Sequence, residues 1–305
     1  MSDAALPVTV PSEPPPDAVH WRADLALVVA AFFFGTTFVV VQEAVEDADP
    51  IDFLAVRFLI AAAVLAVAAR GRPASAGLGR HGVVAGLVLG VGYVLQTVGV
   101  QYTTPSTSAF ITYMLVVFVP ILSVVILRRR PHPATLAGIV LAVAGLVLLT
   151  GASDTGIGRG EILTLGCALA FGAHILILGD TADKHDAVRF TFVQMATVGV
   201  ACLVASMAAD PGSLPALGAG AFGAAVFTGL FATALAFLAM VWAQRAVSPS
   251  RAALILLLEP VFAAVLGAVT GDPLTAAGIA GGVLILVAVI TSEVVPKLQW
   301  GAAKG

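Results

Sequence analysis

Glu259 and Pro260 stand side by side in Ser248–Val261, a run apolar enough to sit in lipid. An acidic residue at the middle of a membrane helix costs roughly 2.5–3.5 kcal/mol, so its retention points to a function. The proline removes a backbone donor and leaves the Leu256 carbonyl, four residues back, without its usual partner. The carboxylate suits a proton-coupling acid, a ligand for a cationic substrate group, or one arm of an internal salt bridge. The plainer alternative is an acid hydrogen-bonded for packing alone. Two further ionisable groups sit in apolar runs, Arg57 and His174. Arg57 lies six residues after Ile51, close enough to a helix end to snorkel outward and pair with Asp52 or Glu46. That makes it an anchor of an outer gate, with direct substrate contact as the alternative. His174 is of a type that titrates near neutral pH, suited to relaying protons, contacting substrate, or simply bonding a helix backbone.

The elements that hold these groups must be membrane helices. Only 11% of the residues are charged and 59% are hydrophobic, and no Lys, Arg, Asp or Glu lies between His81 and Arg128. A soluble chain carries about 25% charged residues. Ten spans of about 20 residues are expected at 23–42, 51–69, 82–100, 105–127, 133–150, 161–179, 188–208, 217–241, 250–270 and 274–292. Turn signals such as Asp49-Pro50, Gly71-Arg72-Pro73, Pro131-His132-Pro133, Asp210-Pro211-Gly212 and Asp272-Pro273 separate them. With the N-terminus in the cytoplasm, 13 of the 15 Lys and Arg fall in inside segments, Arg159 falls outside and Arg57 lies within a span. Both termini are therefore expected to be cytoplasmic in a bacterial inner (plasma) membrane protein.

The chain also repeats itself. An offset of 140 sets Trp242 on Tyr102, Ser248 on Ser108, Pro260 on Pro120 and Pro273 on Pro133, then Thr275 on Thr135 and Gly278 on Gly138. A slightly smaller offset of 137 sets Phe171-Gly172 on Phe34-Gly35 and Phe190 on Phe53. Five crossings is an odd number, so the second copy enters the membrane upside down, the arrangement by which many secondary transporters build two gates around a midplane site. The expected organisation is a disordered Pro-rich cytoplasmic tail (1–22), a first five-helix repeat (23–150), an external linker (151–160), a second, inverted repeat (161–292) and a cytoplasmic tail (293–305). No cleavable signal pattern precedes the first span.

Other polar residues inside spans extend the candidate site. Gly86, Gly90, Tyr93 and Thr97 share one face of helix 3, with Gln96 beside it. Tyr113 and Pro120 share a face of helix 4, near Thr112. Cavity lining and interhelical hydrogen bonding are equal readings for these. Thr36, Thr37 and Thr233 complete the candidate cavity set, together with Trp242, for which interfacial anchoring is the default. Coupling or gating is assigned to Glu259, His174, Arg57, Pro120 and Pro260. Gly278-x-x-x-Gly282 reads as a packing seam between halves or protomers. Cys167 and Cys202 read as packing residues; no metal site, cofactor, catalytic constellation or nucleic-acid surface is expected.

The order and spacing of Phe34-Gly35-Thr36-Thr37-Phe38, Arg57-Phe58, Gln96–Tyr102, Thr107-Ser108-Ala109-Phe110 with Val119-Pro120, and Leu258-Glu259-Pro260-Val261-Phe262 resemble the ten-helix EamA-type members of the drug/metabolite transporter superfamily. The resemblance runs from residue 24 to 292. It departs from the usual pattern at Phe34, where tryptophan is common, and at Arg128–Arg130, which replace an acid. It implies a secondary transporter that exports amino acids or similar small metabolites, driven by proton exchange or by the substrate gradient. Helices 1, 3, 4, 6, 8 and 9 would wall the cavity of a monomer or weak homodimer in the bilayer. A flippase of lipid or lipid-linked sugar in the same fold is the alternative. A polytopic membrane enzyme comes third, since no reactive constellation is present.

Overall fold

A computed structural model describes residues 21–46, 48–103, 105–128, 131, 133–151, 158–210, 217–270 and 275–302. Every regular element among them is helical. In chain order these are α1 (Trp21–Glu46), α2 (Pro50–Ala68), α3 (Leu78–Gly99), α4 (Pro105–Tyr113), α5 (Leu115–Leu122), α6 (Pro133–Thr150), α7 (Arg159–Thr181), α8 (Ala187–Ala209), α9 (Ala219–Thr228), α10 (Ala236–Ala243), α11 (Pro249–Leu256), α12 (Glu259–Thr270) and α13 (Ala276–Ala302). Three crossings are made of two pieces each: α4 with α5, α9 with α10, and α11 with α12. Eight crossings among the described residues are long and apolar enough to span a membrane, and Ala276–Thr291 of α13 is a shorter apolar stretch. With α1 they make ten helical crossings. The expected tails differ at their inner edges, since α1 already begins at Trp21 and α13 runs on to Ala302.

Local sequence explains the ends. Asp49 caps α2, accepting from the N–H groups of Ile51 and Asp52, and Pro50 needs no donor at the first helical position. Asp186 and Ser248 cap α8 and α11 in the same way. The α2–α3 turn ends on Gly77, whose φ of +78° favours a residue without a Cβ.

The outer surface carries large apolar side chains, among them Val140 and Val269, which are 71% and 80% exposed. In water this would be untenable; in a bilayer it is the lipid-facing surface. Packing inside depends on small residues, because lipid supplies no hydrophobic drive between helices. The α6–α13 crossing joins the two halves through Gly145 and Gly281. A Cβ at Gly145 would come 2.7 Å from the Gly281 carbonyl, and one at Gly281 would meet the Gly145 carbonyl at 2.5 Å. The expected seam at Gly278 and Gly282 is thus displaced: both are buried, but Gly282 looks toward Val261 and the close approach is at Gly281.

α2 packs on α8 and α6 on α13. α3 packs on α7 and α1 on α10, while α4 and α5 pack on α7, and α11 and α12 on α1.

Substituting valine for Gly145 or Gly281 forces the backbones apart and is expected to cost about 1–3 kcal/mol. Gly220→Ala, at a site with nothing within 4 Å, should leave stability unchanged. Thermal unfolding midpoints in detergent check this; equal midpoints for all three variants would contradict the seam.

Candidate functional site

The α11–α12 junction supplies the acid. Leu257 and Leu258 donate only three residues back, to the carbonyls of Leu254 and Ile255, at 3.2 and 3.0 Å. Regular bonding resumes with the Phe262 N–H on the Leu258 carbonyl at 2.9 Å. Pro260 has no N–H, so the Leu256 carbonyl lacks its i+4 donor, as the sequence implies. The break leaves Glu259 at the first position of α12. Helix α1 holds this break from behind: a Cβ at Gly35 would stand 2.6 Å from the Glu259 carbonyl. The glycine of the Phe34-Gly35 pair is therefore a close-approach residue, and Phe34 beside it faces the space in front of the break.

The matching break in the fourth crossing lies at Met114, six residues before Pro120. Met114 donates to Ile111, and the N–H groups of Val117 and Phe118 both turn to the Met114 carbonyl. After Pro120 the helix widens into a π-helical turn, Ser123–Leu127. Pro120 and Pro260 are both buried, and neither lines the cavity described next.

A cavity of about 230 Å³ opens among α1, α2, α3, α4, α5, α7, α10, α11 and the start of α12. Its polar lining is Arg57, Tyr93, Gln96, Thr97, Ser108, Thr112, Tyr113, His174 and Glu259. Its aromatic lining is Phe34, Phe171 and Phe237 together with Tyr93. These rings pack edge to face, Phe34 on Phe237 at 5.1 Å and Tyr93 on Phe171 at 5.3 Å. Gly92 gives Phe171 its room, since a Cβ there would strike the ring at 2.4 Å.

Arg57 corrects the expectation of an outward anchor. It is 4% exposed and points inward. Its Nε donates to Thr233 Oγ1 at 2.7 Å, and its guanidinium lies over the Tyr93 ring at 5.4 Å. Thr233 belongs to a π-helical stretch, Gly229–Leu235, that joins α9 to α10. A Cβ at Gly229 would come 2.8 Å from the Arg57 carbonyl, so α2 and this stretch touch backbone to backbone. Inward burial beside an acceptor and a π face replaces the snorkelling that helix position alone suggests. Asp52 is itself buried, while the Glu46 side chain lies outside the described residues. Among the described residues Arg57 and Glu259 form no direct ion pair, yet each lies within the other's electrostatic reach. Tyr113 faces the Glu259 carboxyl through its hydroxyl.

His174 Nε2 lies 2.7 Å from Gln194 Oε1. Gln194 uses its amide nitrogen on the Phe190 carbonyl at 3.2 Å, which fixes the oxygen toward the histidine. His174 therefore carries its proton on Nε2, leaving Nδ1 as an acceptor. Gln194 stands 137 positions after Arg57, the offset that also sets Phe190 on Phe53.

The structure brings Tyr93, Gln96, Thr97, Thr112, Tyr113, His174 and Glu259 to one cavity. Gln96 Nε2 reaches Thr112 Oγ1 at 3.4 Å, and Thr97 turns its hydroxyl back to the Tyr93 carbonyl. Thr36 bonds the Phe33 carbonyl, Thr233 stands behind Arg57, and Trp242 is 43% exposed; none of the three lines the cavity. The Thr37 side chain lies outside the described residues. Sequence reasoning missed Phe171 and Phe237 as wall residues. For Phe171 a signal existed, its repeat equivalence with Phe34.

The lining is chemically mixed: a cation, an acid, hydroxyls and the rings of Phe34, Tyr93, Tyr113, Phe171 and Phe237 within one small space. Among the described residues no group of His, Cys, Asp and Glu is arranged to hold a metal.

Two segments of the chain, residues 21–151 and 158–292, each match the model of the EamA-like transporter family. The chain belongs to that family. It is 34% identical over 269 residues to an uncharacterized transporter of Archaeoglobus fulgidus, covering 88% of this chain and 84% of the relative. It is also 29% identical over 255 residues to the uncharacterized inner membrane transporter YedA of Escherichia coli strain K12, covering 79% and 80%. A solved crystal structure with 18% identity superposes with a TM-score of 0.76 over 91% of this chain and 98% of the other. The fold is thus shared with a solved structure. The EamA-like chain is a multi-pass membrane transporter.

Thr233→Val preserves shape and deprives the buried guanidinium of its acceptor. It should cost about 1–3 kcal/mol of stability, whereas Thr233→Ser should be neutral. Thermal unfolding in detergent checks the pair, and equal midpoints would contradict the Arg57–Thr233 assignment.

Proposed function

We propose that this EamA-like chain is a secondary transporter that exports small metabolites, amino acids or close relatives, by alternating access. The observation that carries the reading is the charge arrangement in the cavity. Arg57 from the first half and Glu259 from the second border the same space without pairing with each other. A zwitterion would satisfy both, its carboxylate toward the guanidinium and its ammonium toward the Glu259 carboxylate and the neighbouring ring faces. The volume, about 230 Å³, lies below the roughly 300–1,000 Å³ of drug-sized sites. That suits a small metabolite better than the head of a lipid-linked sugar.

The two family segments, related as inverted copies, would rock about the cavity. The repeat boundaries at 23–150 and 161–292, the cytoplasmic termini and the inversion belong to this reading. In the same frame the end of the bundle carrying Asp24 is cytosolic. Arg251 there holds Asp24 through two hydrogen bonds, at 2.6 and 3.0 Å, tying α11 to α1. Gln244 Nε2 bonds the Ile175 carbonyl at 2.8 Å just above. On this reading these contacts belong to the cytosolic gate.

Glu259 is the proposed coupling group, exchanging a proton for the substrate's cationic end, with His174 Nδ1 as the nearby acceptor. Glu259→Gln keeps size and hydrogen bonding but cannot ionise. Its uptake rate in proteoliposomes should fall roughly tenfold or more, the loss of about 1.4 kcal/mol of interaction. Its remaining rate should be flat from about pH 5 to about pH 8, the range a coupling group must titrate in. Wild-type rates and pH dependence in this variant would sink the coupling role. Substrate class is tested by a liposome uptake screen with amino acids, nucleosides and quaternary cations, with and without a proton gradient. Uptake confined to nucleosides or quaternary cations would overturn the zwitterion reading.

A further inference from the structure

Outside the cavity, the bundle end that carries Asp24 holds a cluster of titratable groups to which transport chemistry assigns nothing. His185, in the α7–α8 turn, is only 3% exposed. Its Nδ1 lies 2.6 Å from Ser75 Oγ in the α2–α3 turn, and its Nε2 lies 2.8 Å from His81 Nδ1 in the first turn of α3. The ring rests on Phe190 at 5.1 Å. Beside it Arg72 bonds Asp186 at 3.1 Å. The two turns belong to different family segments, so these bonds join one half of the chain to the other.

We propose that the Ser75–His185–His81 chain is a proton-sensitive latch that holds the two halves together on this face and releases them on acidification. The reason lies in the proton count. Two imidazole nitrogens 2.8 Å apart share one hydrogen, so one ring must offer a lone pair. The chain accommodates a neutral pair, or a single charge with His185 donating at both nitrogens. With both rings charged, two N–H groups would face each other and the contact is lost.

The surrounding groups set the direction. Burial first, then His81 and Lys184, disfavour a charge on His185, and Asp183 opposes them; the net effect lowers its pKa. Asp186 is engaged by Arg72, Arg189 lies one turn along α8, and Lys184 bonds Asp180 at 3.4 Å. A lowered histidine pKa means the latched state binds fewer protons than an open state with hydrated rings. The latch is therefore at full strength above the ordinary histidine range, near pH 6.5, and weakens as pH falls below it. The sequence between α1 and α2 and that between α8 and α9 carry no histidine. The device is thus one-sided, and in the alternating-access reading, on which it rests, it makes opening of this face sensitive to the proton concentration there.

The test needs no substrate. Spin labels on Ala76→Cys and Ala246→Cys, both exposed on this end, report the separation of the halves; the native thiols are buried. Between about pH 7.5 and about pH 5.5, the interval in which histidine titrates, a longer-distance population should appear in the otherwise native chain. It should not respond to pH in His81→Gln or His185→Gln, whose amides bond without charging. A pH-independent distance in the native chain, or an undiminished pH response in both variants, overturns the latch. Arg251→Ala, which breaks the separate Asp24 tie, serves as the control. If it lengthens the distance while pH does not, the latch alone falls; if neither moves it, alternating access falls as well.

Discussion

An arginine and a carboxylate withdrawn into an apolar bundle need polar company or a hydrated space, and the architecture follows from supplying both. Arg57 receives one acceptor, Thr233, and one aromatic face, Tyr93. Glu259 receives the Tyr113 hydroxyl and a position at the start of α12, where helix N–H groups favour a negative charge. What remains unsatisfied on both opens onto the cavity. The helix irregularities serve this end. The π-helical stretch Gly229–Leu235 presents Thr233 to Arg57, and the break before Pro260 turns the acid inward. Straight helices would present neither group in this way.

Close backbone approach is the second constraint. Gly35 against the Glu259 carbonyl, Gly229 against the Arg57 carbonyl and Gly145 against Gly281 are places where two helices touch without side chains between them. The first two stand directly behind the charged groups. They make the positions of Arg57 and Glu259 a consequence of helix packing rather than of side-chain reach, as a site on rigid elements requires.

Much of this was legible in the chain. The charge-free run between His81 and Arg128, the paired prolines and Glu259 in its apolar setting carry the membrane class, the duplication and the acid, because each is a local fact of composition or spacing. Less legible were features that depend on how helices meet. Position along α2 suggests that Arg57 snorkels outward; its acceptor lies 176 residues away in a π-helical stretch that no residue pattern announces. The break in the fourth crossing falls at Met114 rather than at Pro120, which lies inside α5 with a π-helical turn after it. The glycine seam lies at Gly281, one place from the G-x-x-x-G frame, because the contact is set by the facing Gly145.

The central claim is that a hydrated cavity bordered by Arg57 and Glu259 lies inside a bundle whose exterior is bathed in lipid. Single cysteines in a chain with Cys167 and Cys202 replaced by alanine decide it, using a charged, membrane-impermeant maleimide on the reconstituted protein. Cysteine at Gln96 and Thr97, on the cavity wall, should react, and cysteine at Val140 and Val269, on the exposed apolar surface, should not. Reaction at Val140 and Val269 with silence at Gln96 and Thr97 would contradict the account.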